Sequence, residues 1–435
     1  MVDFSLIFRA LRYRNYRLFF VGQSISLVGT WMQMVAMSWL VYRLTNSALL
    51  LGVVGFVGQI PTFLLAPFTG VIADRYNRHK ILILTQSLAL LQALILAILV
   101  LTGSITVKQI IMLSIFLGLI GSLDIPVRQA FTIEMIENKE DLGNAIALNS
   151  SMVNLARLIG PSLAGILIAS VGEGICFLFN AISYLAVIFS LLAMKFVPRE
   201  IKLAANHILY DIKEGFVYAF NFMPIRSILL LLSLVSLMGV PYQILMPIFA
   251  RDIFHGGPQT LGFLMAMSGI GALTGAIYLA ARKSVLGLGR RMALASGIFG
   301  LAIIIFSLSK VLWFSMMIMF VSGFAVMVQM AASNIVLQTI VDEEKRGRIM
   351  SFYTMAFMGM APFGSLLSGS LAHKIGAPNT LIFGGTCCIL GALMFAKNLP
   401  ALRQHIRPVY IKKGIIPEVA KGIGAASGLE VLSDR

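Results

Sequence analysis

The sequence predicts an all-α membrane protein whose twelve transmembrane helices form two pseudo-symmetric six-helix bundles. Three observations lead there. Of 435 residues, 58% are hydrophobic and only 12% charged, with mean hydropathy +0.91, whereas soluble domains carry about 25% charged residues. Apolar runs long enough to cross a bilayer, about 20 residues, recur twelve times. The second six runs echo the first at a near-constant offset.

Taken in order, Phe4 to Arg17 carries Arg9, Arg12, Arg14 and Arg17 among apolar residues. That pattern predicts an amphipathic cytoplasmic segment over residues 1–17, lying on the membrane face. Runs at 18–42, 49–72, 81–102, 109–131, 143–170 and 174–194 make an N-terminal bundle, 18–194. A connector at 195–225 holds Lys195, Arg199, Lys202, Asp211, Lys213 and Glu214. Runs at 226–250, 259–281, 292–309, 312–337, 347–372 and 378–396 make a C-terminal bundle, 226–397. Residues 398–435 are polar and basic, which predicts a disordered cytoplasmic tail.

Charge sets the orientation. With the N-terminus inside, the outer loops hold only Arg43, Lys108, Arg251, Lys310 and Lys374, five of the 34 Lys and Arg. Short cytoplasmic loops collect such residues, so both termini are expected in the cytoplasm. The net charge of +16 then reflects topology and does not point to nucleic acid. Three cysteines within apolar runs and five scattered histidines offer no disulfide framework or metal spacing, and no cofactor is expected.

The internal repeat rests on several matches. Gln33 and Gln243 lie 210 apart, as do Leu51-Gly52 and Leu261-Gly262. Glu140-Asp141-Leu142-Gly143 matches Glu344-Lys345-Arg346-Gly347 at an offset of 204, and Gly160-Pro161 resembles Ala361-Pro362. Halves in one orientation imply a repeat about the membrane normal.

Between spans 2 and 3 lies the charge-dense turn Gly70-Val71-Ile72-Ala73-Asp74-Arg75-Tyr76-Asn77-Arg78-His79-Lys80. It resembles the signature loop of the major facilitator superfamily of secondary transporters. Asn77 stands where that family usually has a second Gly, and Asn is the side chain that best tolerates a left-handed backbone. Span 5 carries Gly160-Pro161-Ser162-Leu163-Ala164-Gly165, which resembles the superfamily's exporter motif. Pro161 is expected to bend the helix, and Gly160 and Gly165 to permit close packing. The phrases Asp124-Ile125-Pro126-Val127-Arg128, Met246-Pro247-Ile248-Phe249-Ala250-Arg251-Asp252 and Arg346-Gly347-Arg348 resemble the branch holding the enterobactin exporter and macrolide efflux proteins.

Charged residues inside spans are costly and mark function. Asp124 and Arg128 are four apart, hence on one helix face. Asp124 lies 16 residues beyond Lys108, roughly 24 Å along the axis, in the inner half of the bilayer. Arg157 falls near the midplane. Two readings stand: Asp124 pairs with Arg128, Arg157 or Arg78 as a cytoplasmic gate, or it titrates and couples proton entry to substrate exit. Neighbouring arginines favour the ionised form, and with it the gate. The resemblance implies that Arg78 meets an acidic residue on span 4. It also implies that Asp74, with Gly70 and Arg75 in the same loop, faces the start of span 11 at Arg346 and Arg348.

Gln23, Trp31, Gln33, Gln59, Tyr242, Gln243, Gln329 and Asn334 are the polar groups expected near mid-depth. The resemblance places spans 1, 4, 7 and 10 around a central cavity and makes these residues the candidate substrate contacts. A neutral lining with 24 methionines in the chain suits bulky amphiphiles better than sugars or phosphates. The expectation is a monomeric bacterial inner-membrane exporter of drug, macrolide or siderophore-like molecules, working by alternating access in antiport with protons. A same-fold importer or lipid flippase, or a membrane receptor or assembly factor without transport, are the rival readings. No nucleophile–base pair or metal cluster points to an enzyme.

Overall fold

The computed structural model describes residues 8–195, 216–282 and 284–416. Among them, twelve helices are long and apolar enough to cross a membrane. They are α1 (Arg14–Thr45), α2 (Ala48–Arg75), α3 (Arg78–Leu101), α4 (Val107–Glu134), α5 (Leu142–Val171) and α6 (Glu173–Leu192). After the connector come α7 (Met223–Ile253), α8 (Pro258–Ala280), α9 (Leu288–Leu308), α10 (Leu312–Ile340), α11 (Glu343–Thr354 continuing to Ile375) and α12 (Ala377–Lys412). The inner end below means the side of the 76–77 turn, and the outer end the opposite one.

Local chemistry explains the tight connections. Ser47 caps α2 by accepting from the Leu50 amide, and Thr106 and Gln109 form a reciprocal capping box at α4, each satisfying amide donors that a helix start leaves open. Asn77 differs from the sequence expectation. Its φ is −65°, and its side chain accepts from the Lys80 amide. It therefore serves as the N-cap of α3, not as a left-handed residue. Gly172 between α5 and α6 has φ 86°, and Gly376 between α11 and α12 has φ 85°. The two are again 204 apart, so the repeat extends to backbone conformations that favour glycine.

The packing obeys the same symmetry. Adding six to a helix number maps α1–α6 packing onto α7–α12, α3–α6 onto α9–α12, α2–α4 onto α8–α10 and α1–α5 onto α7–α11, and all eight pairs are in contact. The halves meet through α2–α11 and α5–α8, which the same operation exchanges. Large apolar side chains such as Phe68, Trp313 and Met394 are exposed around the outside, as a lipid-facing surface requires.

Two further sequence expectations need revision. Among the described residues the N-terminal segment is a single 3-10 turn, Arg9–Arg12, with Ala10 fully buried; residues 1–7 lie outside them. The tail begins later than residue 398, because α12 runs on to Lys412. Leu402 and Tyr410 are buried there, and Lys413 donates to the Val341 carbonyl, so the packed face continues although mean hydropathy falls. Residues 417–435, and most of the connector, lie outside the described residues.

Pro161 and Pro126 sit inside unbroken helices. The interruptions fall in the other half. α7 has π-turns at Val235–Gly239 and Phe249–Ile253, and α11 has one at Met355–Gly359. A π-turn leaves a backbone carbonyl without its helical partner. Here the Ser236 hydroxyl donates to the Phe357 carbonyl, so the π-turns of α7 and α11 are joined.

Candidate functional site

At mid-depth, where the halves meet, α1 and α5 converge with α7 and α8 around a pocket lined by Trp31, Arg157, Pro161, Tyr242, Gln243 and Met246, with Leu264, Met265 and Ser268. Close helix crossings set this arrangement. A Cβ at Gly160 would come 2.5 Å from Trp31 Cβ, so α5 lies directly on α1. A Cβ at Gly269 would come 3.1 Å from the Arg157 carbonyl, which places α8 against α5. The Arg157 guanidinium stacks over the Trp31 ring, 5.7 Å from its centroid. The Tyr242 hydroxyl is 2.7 Å from Ser268 Oγ. The lining is therefore aromatic, sulfur-rich and singly positive.

Above the pocket the outer end is sealed. The Tyr42 hydroxyl donates to Asp252 across the halves, and Arg251 donates to Asn46 Oδ1 at 2.7 Å while stacking over Tyr42. Glycines let the backbones touch: a Cβ at Gly262 would meet the Pro161 carbonyl at 2.6 Å and Gly165 Cα at 2.9 Å. Gly52 and Gly369 oppose each other in the same way on α2 and α11. Beside this seal, Arg43 pairs with Glu173 at 2.7 Å.

The charged candidates divide into separate groups. Asp124 is buried and accepts from Thr85 Oγ1 at 2.9 Å and Gln86 Nε2 at 2.7 Å, both on α3, with Arg128 Nε 3.5 Å away. Arg157 is not its partner, and Arg78 pairs instead with Glu134, the last residue of α4, at 2.8 Å. Glu134 was not singled out from sequence; its signal is a carboxylate at a span boundary, level with the start of α3. Arg346 pairs with Glu343 at 3.5 Å within α11, and Arg348 lies on the next turn. Gly70, Asp74 and Arg75 fall on the last turns of α2, Arg75 being exposed. The Asp74 side chain lies outside the described residues.

Of the polar candidates, Trp31, Tyr242 and Gln243 line the pocket and the rest do not. Gln33 is buried, accepting from Asn180 at 2.7 Å and donating to Gln92 at 3.1 Å. Its amide is committed to holding α1, α3 and α6 together. Gln23 and Gln329 are also buried, the latter beside Ser333. Gln59 is exposed and bonds the Gly55 carbonyl. Asn334 accepts from Gln338 at 2.7 Å. Periodicity could not separate these, since a glutamine facing a neighbouring helix and one facing a cavity look alike in sequence.

Comparison with known proteins agrees with this architecture. A family model described as transmembrane secretion effector matches residues 6–419. The staphyloferrin A transporter of Staphylococcus aureus is 27% identical, covering 87% of this chain and 94% of that protein. Macrolide efflux protein A of Streptococcus pyogenes is 25% identical over 88% of this chain and 96% of its own length. A crystal structure of a nucleoside transporter superimposes with TM-score 0.69 at 12% identity, covering 89% of this chain and 99% of that one, which speaks to the fold alone. The chain belongs to the transmembrane secretion effector family of the major facilitator superfamily and is a multi-pass membrane transporter.

Proposed function

We propose that this protein exports small amphiphilic molecules, drug, macrolide or siderophore-like, across the bacterial inner membrane by alternating access, as a monomer with both termini in the cytoplasm. The observation that carries the reading is the pocket of Trp31, Arg157, Tyr242, Gln243 and Met246 at the junction of the halves, beneath a sealed outer end. A site shared by both halves is one that a rocking motion exposes to each side in turn. Aromatic and methionine side chains present an adaptable apolar surface to varied ligands. The named efflux and siderophore relatives support the substrate range.

Proton antiport is the expected driving reaction, with Asp124 and its α3 partners as the coupling or gating group. Asp74 and the residue-346 and -348 arginines form the inner latch in this reading. Accumulation of a fluorescent amphiphile in inverted membrane vesicles tests the proposal. Uptake that depends on a pH gradient is the expected result. Uptake only in right-side-out vesicles would make the protein an importer, and no gradient-dependent flux in either would leave a receptor or assembly role.

A further inference from the structure

We infer that Arg157 is the anchor for an anionic group on the substrate, and that the preferred ligands are amphiphiles carrying a carboxylate beside an apolar or aromatic body. The inference rests on the export reading and narrows it. Among the described residues no Asp or Glu forms an ion pair with Arg157. Asp124, the partner the sequence offered for it, is already held by Thr85, Gln86 and Arg128. Among the described residues, Asp124, Arg78, Glu134, Asp141 and Glu173 each have a partner of opposite sign.

A guanidinium held inside a membrane protein without a counter-charge is costly. The Trp31 face offsets part of that cost by cation–π attraction, but it leaves the five N–H donors of the fork unmatched. Those donors suit a carboxylate, which they can grip with two parallel bonds. Arg157 is half-buried and lines the pocket with Tyr242 and Gln243. With the halves closed that cavity is about 10 Å³, room for about one water, so a ligand gains the fork only as the halves move apart. The tyrosine hydroxyl and glutamine amide supply further donors at the same end. Met246, Leu264 and Met265 supply an apolar wall for the rest of the molecule. The same fixed positive charge disfavours cationic amphiphiles at this depth, where screening is weak.

The test uses the purified full-length protein in lipid nanodiscs and three probes of similar size. These are N-dansyl-leucine (anionic), N-dansyl-leucinamide (neutral) and dansyl-cadaverine (cationic), with binding measured by calorimetry. The expected result is that the carboxylate binds at least about tenfold more tightly than the amide, the range of a charge-assisted hydrogen bond, with the cation weakest. Arg157→Gln should bring the carboxylate-to-amide ratio to about one, and Arg157→Lys should retain a ratio clearly above one. A ratio near one in the unmodified protein, tightest binding of the cation, absence of binding by all three, or a ratio that survives Arg157→Gln would each overturn the inference. Flux of the same probes in proteoliposomes reports separately on export. Equal flux of the acid and amide, with no binding preference, supports export and sinks the anion anchor. A binding preference without flux does the reverse.

Discussion

Asp124 is a carboxylate in an apolar span, and what surrounds it decides its use. Thr85 and Gln86 donate to one oxygen while Arg128 approaches the other. An uncompensated buried carboxylate would cost several kcal/mol, so this site on α3 and α4 is built to hold charge within the N-terminal half. Asparagine at 124 keeps an acceptor for α3 and loses the charge facing Arg128. Asp124→Asn should therefore retain substrate exchange in proteoliposomes while net gradient-driven efflux falls; full gradient-driven efflux would remove Asp124 from the coupling path. At the inner surface, Asp141 accepts from the Tyr13 hydroxyl at 2.7 Å and pairs with Arg12 and Arg9. The Tyr13 hydroxyl, followed by the two arginines, holds its carboxyl below the usual value of 3.8. A carboxyl depressed in this way contributes to docking of the N-terminal turn above that value and loses the contribution as pH falls through its own lower one. Asp141→Asn should expose Arg9 and Arg12 to trypsin at neutral pH, as strong acid would undock the turn in the unmodified protein. Unchanged cleavage would mean that the Ala10–Asn144 hydrogen bond and the one from Arg9 to the Glu140 carbonyl hold the turn without the carboxylate.

At the scale of helices, small residues set the contacts between halves. Gly165 and Gly262 put α5 and α8 in backbone contact near the outer end. A leucine at 262 has no room, since its Cβ would already lie 2.6 Å from a backbone oxygen. Gly262→Leu should wedge the outer end open and raise labelling of a cysteine placed in the outer loops, with the fold retained in the helix content seen by circular dichroism. Labelling no faster than in the parent would show that the seal does not depend on this crossing. Hydropathy and charge made the twelve spans legible, and Leu-Gly and Gly-Pro phrases made the repeat legible. The π-turns of α7 and α11 were not, because they follow from how Ser236 meets the Phe357 carbonyl, a contact between residues 121 apart.

For the whole molecule, the decisive feature is an outer end closed by contacts between halves: Tyr42 with Asp252, Arg251 with Asn46 and the glycine crossings. Two states of a transporter differ by only a few kcal/mol, so losing one charge-assisted bond of about 1.5–3 kcal/mol is enough to redistribute them. Tyr42→Phe and Asp252→Asn should each shift the population toward the outward-open form by about tenfold or more. Spin-label distances across the outer rim should lengthen in both variants, and unchanged distances would place the closing energy in the glycine crossings.

The sequence alone determined the membrane class, the twelve spans, the duplication and the family, because these follow from hydropathy, charge asymmetry and local motifs that read along the chain. It also pointed to Asp124, Arg78 and Arg157 as charges that matter. Their partners were decided only by the tertiary structure: Thr85 and Gln86 for Asp124, Glu134 for Arg78, and the Trp31 ring for Arg157. The physical reason is that a side chain on a membrane helix meets whichever neighbour the packing brings within about 3–6 Å. That neighbour belongs to another helix, tens of residues away, and periodicity within one helix carries no record of it.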